Sequence, residues 1–474
     1  MSKSVSTAAY GPGSQLSLLA RLHNVVGAPV SHPLEDVRPA RWARSRRGHA
    51  RLRVGELLAA ITLVTAMAGS APTSLVRAGV RLHPRVRARD FVGSFSNPPT
   101  TEQCKASLHL ACYRPAQLQT AYHLTSLYGA GFRGEHQTVV IVDSFGSPTM
   151  AHDLHVFDVA FGLPDPALSI IAPSGAIPPF DPGGDRIGWA AETTLDVEWA
   201  HAMAPAANIM LVETPVSETV GIQGFPEIVH AENFVINHRL GDVISQSFGT
   251  DEESFPSAAS LRDLRGAYKN ARDHNVAVLA SSGDSGPEHL WPSSDPLVTS
   301  VGGTRLRLDD QGFRKAPDEV WNDGFGAGGG GRSTVFARPG FQDGVAPVVG
   351  SQRGAPDISM SAAVNGGALV YFSFAKNVIP AGWHVFGGTS ASSPLFAGVV
   401  ALADQVAGHR LGFLNNRIYA LANRPGGGVA DITIGNNSFG GAQGFQAVPG
   451  YDLASGVGTV HADRFVLALA ATPG

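Results

Sequence analysis

The feature that most constrains this chain is a series of short, unbroken apolar runs rich in β-branched residues. The clearest are residues 137–143 (QTVVIVD), 208–212 (NIMLV), 243–247 (VISQS) and 276–280 (VAVLA). A run without polar alternation belongs to a strand buried on both faces. Helical stretches lie between these runs, at residues 187–204 (closed by Pro205) and 261–274. Alternation of this kind predicts an α/β domain, a doubly wound, mostly parallel sheet with helices on both faces. In such sheets, reacting groups gather at the carboxyl ends of the strands.

The chain has 474 residues, 43% of them hydrophobic and 16% charged, which suits a large buried core and is too apolar for disorder. The net charge of −4 conceals an asymmetry. Residues 1–53 carry nine basic side chains (Lys3 and eight Arg) against Glu35 and Asp36, leaving the rest with 26 basic and 37 acidic. An acidic body offers nothing to nucleic acid. The Arg-rich stretch runs into an apolar segment at 57–69, with Ala66-Met67-Ala68 near its end. That segment falls short of the ~20 residues that span a bilayer. A basic flank, a short apolar core and small residues read as an export signal, so the protein is expected to be secreted. Left uncleaved, residues 54–71 would anchor it to a membrane, which is the only membrane contact expected. Residues 1–71 are thus read as leader, 72–103 as polar linker and 104–474 as the body. The two cysteines, Cys104 and Cys112, are expected to close a small disulfide loop, with two free thiols as the alternative. No Cys/His cluster suggests zinc.

Three constellations carry chemistry. In Gly387-Gly388-Thr389-Ser390-Ala391-Ser392-Ser393-Pro394, two glycines permit a tight turn and Pro394 suits a first helical turn. Ser390 would sit at a helix N-terminus, where the dipole favours developing negative charge. The bland alternative is a glycine turn capping a buried helix. A serine nucleophile needs a base. Asp143 ends a strand, but the H-G-T-H string of a histidine-dependent subtilase does not follow it, and His152 and His155 lack its glycine context. Glu192 and Asp196, four apart between Trp189 and Trp199, share one helical face with those tryptophans and Met203. Two half-buried acids in contact do not both ionise readily, and such a pair can serve a serine as base at acidic pH. Alone, the spacing would mark only a solvated face. Finally, Ser282-Gly283-Asp284-Ser285-Gly286 exposes an Asp in a tight turn after the 276–280 strand. A protonated acid there can donate to an oxyanion, and a simple Asp turn is the alternative. The glycine-rich stretch 324–331 (GFGAGGGG) reads as a flexible surface loop. It lacks the Lys-Ser/Thr ending of a phosphate loop, which excludes nucleotide binding there.

In this order, E-x-x-x-D, S-G-D-x-G and G-T-S-A-S-x-P resemble the sedolisin family of serine-carboxyl peptidases. Strings at 112–122 (CYRPAQLQTAY), 161–164 (FGLP), 245–249 (SQSFG), 298–304 (VTSVGGT) and 356–359 (PDIS) agree, so the resemblance covers about residues 104–474. It implies a subtilisin-like fold and an enzyme hydrolysing peptide bonds of a polypeptide substrate at acidic pH. Ser390 would be nucleophile, Glu192 base, Asp196 its orienting partner and Asp284 the oxyanion donor beside the Ser390 amide. Ser247-Phe248-Gly249 would bind the substrate main chain as an added strand, with residues 328–333 as a further pocket wall. A calcium site is implied at Asp431, Ile432, Val448, Gly450 and Asp452, two carboxylates with loop carbonyls suiting a hard cation, and a turn stabilised by the Asp side chains is the alternative. Val448 stands where the family often has Gly. The enzyme is expected to act as a monomer. The family usually carries a long N-terminal pro-domain, and the roughly 30 residues between signal-like run and body are too few for one. The rival readings are a histidine-dependent subtilase using Asp143 and a catalytically silent peptide-binding homologue.

Overall fold

The computed structural model describes residues 92–218, 222–375, 378–422 and 424–474. Residues 1–71, read above as the leader, lie outside them.

The core of the body is an eight-stranded sheet built from β1 (Thr138–Ser144), β2 (Leu168–Ile171), β3 (Asn208–Thr214), β4 (Val243–Gln246), β5 (Ala277–Ser281), β6 (Thr299–Arg305), β7 (Glu319–Val320) and β8 (Ile358–Ser361). Their order is β7-β6-β5-β4-β1-β3-β2, with β8 also paired to β6, and every pairing is parallel except β6 with β7. The four apolar runs are therefore strands, as read. The order reverses at β1, which has β3 on one side and β4 on the other. A crevice opens at such a reversal, outside the carboxyl ends of the strands.

The helices that bear on the site are α1 (Met150–Phe161), α2 (Arg186–Met203), α3 (Phe225–Asn237), α4 (Thr389–Ala407) and α5 (Ala462–Ala471). Successive side chains of a strand point to opposite faces, and β1 shows the consequence. Val139 and Ile141 enter a core formed with α2, α4 and α5, while Val140 and Val142 enter a second core with α3. All four are fully buried, each contributing about 1.5–3 kcal/mol. The expected helix at 261–274 is instead two, Ala258–Asp263 and Gly266–Asp273. Arg265, at the break, bonds the buried Asp295 carboxylate at 2.5 Å.

Two sequence expectations need correction. The linker does not extend to residue 103. Val92–Phe95 is a strand antiparallel to Gly382–Phe386 in a separate four-stranded sheet, and Thr101–Leu108 is a helix. A four-residue strand of sequence VGSF has no periodicity to betray it. The glycine-rich stretch, too, is exposed only at Gly324 and Phe325, with 326–331 buried. Its glycines allow backbone to lie on backbone. Gly329 N donates to Gly283 O at 2.6 Å, and a Cβ on Gly329 would stand 2.1 Å from Ser282 O.

Cys104 and Cys112 form a disulfide with Cα atoms 5.9 Å apart. Among the described residues, no helix is long and apolar enough to cross a membrane.

Candidate active site

Helix α2 is buried along its whole length from Gly188 to Met203, so the carboxylates it carries cannot face water. Glu192 and Asp196 are 1% and 0% exposed, where the sequence suggested half-burial. Burial lifts Glu192 well above the ordinary carboxylate range, and neighbouring Asp143 lifts it further. The Ser390 hydroxyl partly offsets this, while Asp284 adds to it. Burial likewise raises Asp196, helped by Asp143 and Glu192, with the Ser247 hydroxyl acting against the rise. The Ser390 hydroxyl thus lies beside Glu192, although among the described residues no fully formed hydrogen bond reaches the Glu192 or Asp196 oxygens. Each acid is biased towards its neutral form.

The third acid of the cluster is Asp143, at the carboxyl end of β1. It is 1% exposed and pushed up to about 7 by burial, with the Thr193 hydroxyl opposing and Glu213 contributing. Sequence reasoning weighed Asp143 only as partner to a histidine. Among the described residues, the groups that chiefly shift Asp143, Glu192 and Asp196 include no histidine. His201 of α2 lies 3.2 Å from Asp158 in another buried pair, and His155 contacts Asp165 on the surface. Glu218 was not foreseen either. It is fully buried after β3 and raised by burial first, then by Glu192, Asp143 and Asp185. A buried acid just past an apolar strand was the available signal.

Ser390 is half-buried in the first turn of α4, after Gly388 at φ +115°. Ser247, just past β4, donates to the Ser390 carbonyl at 3.2 Å. The Ser247 hydroxyl also opposes the rise of Asp196, so it lies between the acid pair and the serine turn. Phe248 packs between Trp189 and Phe225, at ring-centroid distances of 6.1 and 6.4 Å. Gly249 is buried, and a Cβ there would come within 2.9 Å of the Leu290 Cβ. Trp189 and Trp199 are both fully buried but in different cores, Trp199 donating to Leu369 O at 3.0 Å.

Asp284 is half-buried in the turn after β5. Its Oδ1 receives the Thr389 amide at 2.8 Å and contacts the Thr389 hydroxyl at 2.8 Å. Thr389 thereby joins the Asp284 turn to the Ser390 turn. The glycine-rich stretch packs over the same turn, Ala327 N donating to Asp284 O at 3.1 Å. Acid, serine and oxyanion candidates therefore converge at the carboxyl ends of β1, β4 and β5.

The residues read as a calcium site meet on one loop. Asp431 Oδ2 accepts Gly450 N at 2.8 Å, and Asp452 Oδ2 accepts Val448 N at 3.0 Å. Asp452 Oδ1 holds Ala454 N and Ser455 N at 2.9 and 2.8 Å. Both carboxylates hold the turn at residues 448–455 through its amides, and with the neighbouring backbone carbonyls they offer oxygen donors, the ligand type a hard cation takes. Among the described residues, no group of three or more His, Cys, Asp or Glu side chains could hold a metal, so backbone carbonyls would have to complete the set.

No protein-family model matches the chain. It is 30% identical over 478 residues to kumamolisin of Bacillus sp. strain MN-32, an alignment covering 95% of this chain and 80% of that protein. It is 28% identical over 400 residues to sedolisin of Pseudomonas sp. strain 101, covering 80% of this chain and 64% of that protein. Tripeptidyl-peptidase 1 of Homo sapiens is 27% identical over 418 residues, covering 78% and 68%. Among solved structures, Pseudomonas sedolisin complexed with two molecules of pseudo-iodotyrostatin superposes with a TM-score of 0.66 at 26% identity, over 75% of this chain and 97% of that one.

Proposed function

The chain belongs to the sedolisin family, and from that premise we propose that it cleaves peptide bonds by a Ser390–Glu192–Asp196 triad working at acidic pH. That it is a serine-type peptidase follows from its relatives. The residue roles are our reading. The observation that carries them is a buried acid pair beside the Ser390 hydroxyl, with no histidine, among the described residues, in the groups that chiefly shift either acid.

In that reading, ionised Glu192 takes the Ser390 proton as Oγ attacks the scissile carbonyl. It then gives the proton to the leaving amine, and water repeats the cycle on the acyl-enzyme. Asp196 holds Glu192 in place and, with Asp143, sets the acidity of the pair. The Asp284 carboxyl and the Ser390 amide donate to the oxyanion. Ser247-Phe248-Gly249 would carry the substrate main chain as an added strand. Calcium would be held by Asp431 and Asp452 with the carbonyls of Ile432, Val448 and Gly450, neutralising the acids and stiffening the loop. Secretion directed by the leader and action as a monomer complete the reading.

The decisive experiment is digestion of a peptide library from pH 2 to pH 8 by the protein and by its Ser390→Ala and Glu192→Gln variants. Activity confined to acid and abolished in both variants supports the triad. Activity peaking near neutrality, or surviving in Glu192→Gln, would overturn it. Intact peptide binding without turnover in the parent would instead assign a silent binding role.

A further inference from the structure

Thr389 contacts the Asp284 carboxyl through both its amide and its hydroxyl, and the role argued for it rests on reading Asp284 as the oxyanion donor. A carboxyl group has two oxygens, and only the protonated one donates. For Asp284 to serve, its proton must sit on the oxygen that faces the reacting carbonyl. Free rotation of the proton between the two would waste much of the effect, because preorganisation is what makes such donors strong.

Four contacts favour Oδ2 as the oxygen that holds it. The Thr389 amide donates to Oδ1 of Asp284 at 2.8 Å. The Thr389 hydroxyl lies 2.8 Å from the same oxygen and receives Gly283 N at 3.0 Å. It is also 3.0 Å from Gly283 O. A hydroxyl has one proton to give. Gly283 O already accepts Gly329 N at 2.6 Å, so the proton is better spent on Oδ1. With an N–H and an O–H both directed at Oδ1, the proton of a neutral Asp284 is left to Oδ2. That oxygen lies 2.9 Å from where a Cβ of Gly388 would stand, against the backbone leading into Ser390. Gly388 has φ +115° and no side chain, which keeps that approach open.

We propose that Thr389 is a positioning residue that fixes the Asp284 proton on Oδ2, aimed at the oxyanion. It touches neither substrate nor the reacting atoms. Its hydroxyl is a three-way link between the Gly283 amide, the Asp284 carboxyl and the turn that presents the nucleophile. The glycine-rich stretch takes part indirectly, since the Gly329 amide occupies the competing carbonyl.

The test compares the parent enzyme with Thr389→Val, Thr389→Ala, Thr389→Ser and Asp284→Ala, all in the full chain. Each is measured for kcat, KM, pH profile and inhibition by a peptide aldehyde and by the corresponding alcohol. The aldehyde forms an oxyanion on the enzyme and the alcohol does not. Thr389→Val and Thr389→Ala should weaken aldehyde inhibition and lower kcat by about 10-fold or more, with KM and alcohol inhibition unchanged. Unchanged alcohol inhibition also reports that the variants are folded. Losing a donor to the carboxylate should move the alkaline limb of the profile upward, and Thr389→Ser should restore every parameter. If Asp284→Ala keeps parental aldehyde inhibition, the oxyanion reading itself falls. If Asp284→Ala is impaired while Thr389→Val and Thr389→Ala behave as the parent, the role of Thr389 falls alone. Equal impairment in the Ser, Ala and Val variants would also overturn it.

Discussion

Asp143 stands opposite Glu213 in register across the parallel strands β1 and β3. The acid cluster therefore continues past the two residues of α2 and across the end of the sheet. Burial pushes both Asp143 and Glu213 up to about 7. Acids packed in this way do not titrate singly, and the enzyme's pH response belongs to the group.

The nucleophile and base give the first prediction. Ser390→Ala and Glu192→Gln should each lower kcat by roughly 10⁴-fold or more, and the double variant should be little worse than either single one. Steady-state kinetics at pH 4 would read this. Additive losses would mean that the two side chains do not act as a unit.

Asp143 should tune the base. Its charge raises both Glu192 and Asp196, so Asp143→Asn should lower their pKa values. Glu192 would then ionise in more acidic solution, and the acid limb of kcat/KM should move to lower pH. A limb that stays in place would detach Asp143 from the pair.

Asp404 gives a test of pH-dependent stability away from the site. Burial, chiefly, pushes it from an ordinary 3.8 up to about 8, with the Leu411 amide opposing and Asp242 contributing. The folded chain thus holds this proton more tightly than the unfolded one. The stability so contributed is complete below about pH 4 and is lost as the pH climbs towards 8. Asp404→Asn, whose carbonyl can still accept the Leu411 amide, should match the parent at pH 4 and melt above it at pH 8. Equal melting temperatures at both pH values would refute the assignment.

Calcium should raise the melting temperature, and chelation should lower it. Asp431→Ala should abolish the calcium response with little change in the metal-free protein. Asp452→Ala should also weaken the metal-free fold, by about 1–3 kcal/mol, because Asp452 holds Val448 N, Ala454 N and Ser455 N. Calorimetry with and without calcium would separate the two.

Much of the fold was legible because burial on both faces leaves the middles of strands such as β1 (139–142) and β3 (209–212) free of polar residues. The Glu192/Asp196 pair was legible because four-residue spacing fixes a shared helical face wherever the helix packs. Asp143 was visible as a strand end, but its company was not. It meets Glu192 and Asp196 only because β1 and the buried helix α2 fold against each other. The glycine-rich stretch misled for a related reason. Glycine signals freedom in isolation, yet Gly329 and Gly330 lie where the backbone of Ser282 and of Leu453 comes too close for a side chain. The strand Val92–Phe95 escaped notice because its partner lies almost 300 residues away.

That remote pairing bears on how the enzyme can be trimmed. Val92–Phe95 lies against Gly382–Phe386, and four residues after that strand comes Ser390. The chain's early edge therefore braces the segment that delivers the attacking hydroxyl. A truncation that spares this pairing must begin no later than residue 92. A cut at the first cysteine, where the family motifs begin, would strip a staple from the nucleophile's own support.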